Sequence, residues 1–107
     1  MIEPVKITSE AIREIRKMAE SKNVPQGFGL RIGVNGGKGC SGVDFTLGFD
    51  QPGENDISYV VEGIPIYIRK PEVMYLLGKH LVYFDDGTTH GFLFLDDHQA
   101  ESITEAR

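Results

Sequence analysis

Residues 28–50 read FGLRIGVNGGKGCSGVDFTLGFD, and the fold turns on this stretch. Phe28, Leu30, Ile32 and Val34 alternate with Gly29, Arg31, Gly33 and Asn35. A period of two marks a half-buried strand, because successive side chains point to opposite faces. Val43, Phe45, Leu47 and Phe49 repeat the alternation with Asp44, Thr46 and Gly48. Between the two runs lies Gly36-Gly37-Lys38-Gly39-Cys40-Ser41-Gly42. Two such strands joined by a glycine-rich loop predict an antiparallel pair.

Upstream, Thr8 or Ser9 offers a helix N-cap and Glu10 puts negative charge at the helix start. Ala11, Ile12, Ile15, Met18 and Ala19 recur at three and four, which makes one apolar face. Lys22-Asn23 and Pro25 end that helix. Downstream, Gln51–Asp56 is a loop by composition. Ile57–Val61 and Ile64–Ile68 read as strands split by Glu62-Gly63. Pro65 has no N–H to give a ladder, which predicts an edge strand. Pro71 opens a short helix that Gly78 closes. Leu81–Phe84 and Phe92–Leu95 flank Asp86-Gly87, a turn signal, and form a hairpin. Tyr59, Tyr67, Tyr75 and Tyr83 fall at apolar positions and are expected to pack in a core or interface.

The chain has 107 residues, which suits one domain spanning 1–107, with an ordered core near 5–98 and a polar tail near 96–107. Eleven Lys and Arg against sixteen Asp and Glu oppose the basic stripe of a nucleic-acid binder. No apolar run approaches the ~18 residues of a membrane span, and Met1–Pro4 has no signal-peptide character. One cysteine excludes an internal disulfide and a single-chain zinc site of several thiolates. A lone thiol without bridges suits the reducing cytoplasm.

Gly37, Gly39 and Gly42 match the spacing of a dinucleotide fingerprint, and Gly33 with Gly37-Lys38 distantly resembles a phosphate loop. Both motifs must open a helix, and here a strand follows. A structural cysteine sits among apolar neighbours, whereas Cys40 is flanked by Gly39, Ser41 and Gly42. Glycines let backbone N–H groups converge on an anion, and Lys38 favours the thiolate. Cys40 is therefore a candidate presented thiolate.

The strand Gly29–Val34, the loop Gly39-Cys40-Ser41-Gly42, Phe45 and Phe49, and later Gly87 and Gly91-Phe92-Leu93-Phe94 resemble the HesB-like, A-type iron–sulfur carrier family. The resemblance runs over residues 5–98. It implies a mainly β fold (α+β as the alternative): a compact β-sandwich of two small sheets, with an N-terminal helix and a short helix near 71–78. It implies a homodimer or homotetramer that binds iron or a [2Fe–2S]-type cluster. It implies delivery to apo-proteins and contact with an assembly scaffold, without enzymatic turnover. In the family a loop cysteine acts with a C-terminal Cys-x-Cys pair. Cys40 matches the first, with Gly39, Ser41 and Gly42 around it. The pair falls at Ile103-Thr104-Glu105, where no cysteine stands. The family's Asn-Pro is Asp96-Asp97 here, its acidic residue before the hairpin is Val82, and the Cys40 loop is about one residue longer.

A [2Fe–2S] cluster takes four ligands, and His replaces Cys in Rieske centres. His98 lies nearest the missing pair and is the candidate second ligand, ahead of His90 and His80. Asp96, Asp97 and Glu101 are expected to be solvated. Two other functions fit a single thiol: an interaction or regulatory module that has lost the cluster, and a redox-sensing cysteine that pairs between chains.

Overall fold

The structure is a computed structural model that describes residues 3–36 and 43–96. The first strand, β1 (Val5–Ile7), leads into α1 (Ser9–Ser21). Thr8 caps that helix, its Oγ1 accepting the Ala11 N–H at 3.1 Å. The far end closes on Asn23, at φ 54°. Asn23 N–H donates to Glu20 O and Val24 N–H to Ala19 O, a Schellman closure with asparagine in the left-handed position. Ala11, Ile12 and Ile15 are buried, as their spacing predicts.

The glycine-rich stretch forms the expected antiparallel pair, β2 (Gly29–Gly36) with β3 (Val43–Asp50), in register from Gly29–Asp50 to Gly36–Val43. β4 (Asp56–Val61) and β5 (Ile64–Arg69) form a hairpin whose Glu62 and Gly63 both have positive φ, as a type I′ turn requires. A 3-10 turn (Lys70–Glu72) and α2 (Val73–Leu76) follow, and then the hairpin β6 (Lys79–Asp85) and β7 (His90–Asp96). In its loop the Asp86 carboxylate accepts the Thr88 and Thr89 N–H groups, which hold its pKa below the usual range. The strands make two sheets, β1-β6-β7 and β3-β2-β5-β4. This is the mainly β architecture of two small sheets that the sequence resemblance implies.

Three features depart from the sequence reading. β1 is too short for periodicity to reveal, and it pairs in parallel with β6. β5 is interior, not an edge, although it contains Pro65. The reason is register: β2 meets β5 only at Leu30–Ile66 and Arg31–Tyr67, so β2 does not reach Pro65. In a two-residue hairpin closed by Val61–Ile64, the next pair, Val60–Pro65, is a non-hydrogen-bonded one, so the proline nitrogen takes nothing from β4 either. Third, Tyr75 is 51% exposed, which removes the core from its two expected places and leaves an interface.

α1 and both sheets share one core, in which Ile12, Ile32, Ile66, Ile68, Leu76 and Leu81 are fully buried. Tyr59 secures β1 to it. Its buried hydroxyl accepts the Val5 N–H at 3.3 Å and donates to Val5 O at 2.8 Å. Burial raises the phenol pKa to about 12. On the outer face of β2, Arg31 donates to Asp50, to Asp56 Oδ1 at 2.6 Å and to the Gln51 carbonyl. The guanidinium hydrogen bond is the main cause that lowers the Asp56 pKa; desolvation opposes it.

Tyr59→Phe leaves the Val5 N–H and C=O without their side-chain partner, and should cost about 1–3 kcal/mol in denaturant unfolding. Asp56 has a depressed folded pKa, so its stabilisation is full above the unfolded value of ~3.9 and fades as pH falls below it. Asp56→Asn should therefore lower Tm at pH 7 and flatten the decline of Tm between about pH 4 and pH 2. Parallel wild-type and variant curves over that range would exclude this role.

Candidate functional site

The β2–β3 pairing ends at Gly36–Val43, so both roots of the Cys40 loop lie at one end of the sandwich. Residues 37–42, including Lys38, Gly39, Cys40, Ser41 and Gly42, lie outside the described residues. So do residues 97–107, with Asp97, His98 and Glu101.

The described structure joins the roots of these two segments. Phe45, two residues into β3, packs its ring 4.9 Å from that of Phe94 near the end of β7. Lys79 Nζ sits 5.7 Å from the centroid of Phe45 and forms an ion pair with Asp96. Lys79 and Asp96 are partners in the β6–β7 ladder, so the hairpin register places them together. An aromatic pair, a cation over its face and a carboxylate thus form one junction between the Cys40 loop and the start of the tail.

A second anchor holds β2 itself. Beyond Arg31 the strand has lost β5 as a neighbour. There Glu72 Oε1 accepts the Val34 N–H at 3.1 Å. The carboxylate supplies the acceptor that a neighbouring strand otherwise provides. Gly33, next to Val34, fits closely against β3, where a Cβ would lie 2.7 Å from Thr46 Oγ1; at 3.6 Å from Glu72 Oε1 it would make only an ordinary contact. Sequence reasoning missed Glu72, Phe45, Phe94 and Lys79 as site-forming residues. The Lys79–Asp96 pair follows from hairpin register; the Glu72 contact has no local signal.

The structure also separates the histidines. His90 opens β7 and Asp96 closes it. Six residues of strand put roughly 20 Å between them. His90 is exposed, with its ring 6.2 Å from that of Tyr83. His80 is half-buried, and strand alternation puts it on the face opposite Lys79. Neither joins the junction. Among the described residues, no group of three or more His, Cys, Asp or Glu is arranged to hold a metal ion.

A sequence profile for iron–sulphur cluster biosynthesis matches residues 4–100. The chain belongs to that family. It is 29% identical over 89 residues to the mitochondrial iron-sulfur cluster assembly 1 homologue of Columba livia, covering 82% of this chain and 65% of that protein. It is 36% identical over 73 residues to the iron-binding protein IscA of Escherichia coli, covering 67% of each. The chain thus spans about two thirds of the length of these curated relatives. The fold is that of Escherichia coli SufA, involved in biosynthesis of iron-sulfur clusters, at TM-score 0.71 and 21% identity over 87% of this chain and 80% of that one. A solution structure from Aquifex aeolicus superposes at TM-score 0.65 and 32% identity, over 90% and 99% of the two chains. The family is one of assembly proteins, in agreement with a reading without enzymatic turnover.

Glu72→Ala should speed hydrogen exchange at the Val34 amide, while Glu72→Gln, which keeps an acceptor, should retain most of its protection. Equal exchange in both variants would show that Glu72 does not hold this edge.

Proposed function

We propose that this member of the iron–sulphur cluster biosynthesis family holds iron or a labile [2Fe–2S]-type cluster on Cys40, shared between subunits, and passes it to apo-proteins. The cluster is cargo. The observation that carries this reading is the family match around a glycine-rich loop with the chain's one cysteine.

Four ligands are needed, and a twofold dimer or larger homo-oligomer supplies Cys40 from each of two chains. Gly39, Ser41 and Gly42 flank Cys40 in the sequence, and glycine-rich segments are those whose backbone N–H groups converge on anions. Of the histidines, His98 has the best claim to a further position. It follows Asp96 by two residues in the sequence, nearest to where the family's cysteine pair falls. A carboxylate, an exogenous thiol such as glutathione, or the client protein are the alternatives to histidine for the two remaining sites. Fewer cysteine ligands favour release over storage, which suits a carrier that receives from an assembly scaffold and delivers to apo-proteins. The reducing cytoplasm, where a lone thiol persists, is the compartment we assign.

The missing tail thiolates favour a second reading, an interaction module that has lost the cluster. Anaerobic reconstitution with iron and sulfide distinguishes the two. The carrier reading expects a visible charge-transfer spectrum, acid-labile sulfide, and loss of both in Cys40→Ser. A colourless protein with substoichiometric iron, and partner binding unchanged in Cys40→Ser, would overturn it. A Cys40–Cys40 disulfide after peroxide, with no iron uptake, would point to a redox sensor instead.

A further inference from the structure

The turn after β5 faces two ways. Glu72, Val73 and Leu76 point inward: Leu76 is fully buried, Val73 packs on the core, and Glu72 holds β2 at Val34. Met74, Tyr75 and Leu77 point out, at 72%, 51% and 53% exposure. Three large apolar side chains within four residues form a patch, unlike the singly scattered apolar residues of an ordinary surface. Arg69 and Lys70 precede it, both exposed, with Arg69 in a loose 3.8 Å contact to Glu72. Arg69 and Lys70 thus give the N-terminal side of the patch two exposed cations, with Glu72 beside Arg69 and Glu3 next to Pro4, whose carbonyl accepts the Gly78 N–H, in a chain whose net charge is −5.

We propose that Met74, Tyr75 and Leu77, with Arg69 and Lys70, form a docking surface for a partner protein that presents a short apolar segment bordered by Asp or Glu. Charge complementarity selects this occupant. An anionic membrane is an extended surface and would meet the acidic remainder of the chain, whereas a short acidic segment meets the patch alone. The patch belongs to the same turn as Glu72, which grips β2 two residues before Gly36, where the Cys40 loop begins. A docked partner would therefore stand on the turn that holds the end of β2. That it exchanges a cluster there rests on the carrier reading; the docking itself does not.

The test uses full-length, metal-free protein labelled with 15N and two synthetic 12-residue helical peptides. One carries Leu and Phe with four Glu; the other has Lys in place of each Glu. The acidic peptide should shift amide resonances in 69–78 and bind at least fivefold more tightly than the basic one, a preference that 0.5 M salt should erase. Lys70→Glu and the pair Met74→Ser with Leu77→Ser should each weaken binding at least fivefold with Tm unchanged. Equal binding of both peptides, or shifts confined to other residues, would overturn the proposal. So would sedimentation showing that Met74→Glu dissolves an oligomer, or binding to vesicles with 30% phosphatidylglycerol that exceeds binding of the acidic peptide. Because no cluster is present, the outcome stands whether or not Cys40 binds iron.

Discussion

β2 touches β5 at two residue pairs only, Leu30–Ile66 and Arg31–Tyr67, and much of the molecule is arranged around the shortness of that contact. Before it, the chain tolerates a proline in an interior strand, because Pro65 lies where no ladder bond is asked of it. Gly29 sits against the same proline, and a Cβ there would come within 2.5 Å of its carbonyl oxygen. After it, the free edge of β2 is closed by a carboxylate. Glu72 does for Val34 what a longer β5 would have done. A buried strand edge must find such a partner, since an unpaired N–H away from water costs about as much as a lost hydrogen bond.

The same arrangement links the fold to its proposed work. By gripping β2, Glu72 fixes the turn 70–76 beside the root of the Cys40 loop. On the other side of that root, Phe45 and Phe94 stack, and Lys79 bridges the ring of Phe45 to Asp96. Two short contacts from residues distant in sequence thus hold the loop's base from both flanks. The outward side of the turn, with Met74, Tyr75 and Leu77, is then free to meet another protein.

Local chemistry made much of this legible. Alternation over 28–35 and 43–49 marked the central hairpin, and the apolar spacing of Ala11, Ile12 and Ile15 marked the buried face of α1. Thr8 capped as its side chain predicts, and Glu62-Gly63 made the turn that positive φ at both residues demands. Where reading failed, the deciding partner lay far along the chain. β1 has three residues, too few for a period, and it exists through β6 and the Tyr59 hydroxyl. Pro65 follows a sound rule about edges, and a two-residue register overrode it. Tyr75 sits at a helical position but faces outward, because Val73 and Leu76 take the buried side of so short a turn.

By itself, then, the sequence settled the element types apart from β1, the central antiparallel pair and the resemblance that the family match bears out, because these depend on neighbours within a few residues. It also singled out Cys40 as the chain's one thiol, since a count needs no coordinates. Only the tertiary structure decided which strands lie inside, and that His90 stands at the far end of β7 from Asp96. Only it decided that Glu72 and the Phe45–Phe94–Lys79–Asp96 junction flank the loop's base. Those outcomes rest on contacts between residues far apart in sequence, such as Val5 and Lys79 across the β1–β6 pairing. Their register is set by how the buried faces of two sheets and a helix fit together, and no local pattern carries that information.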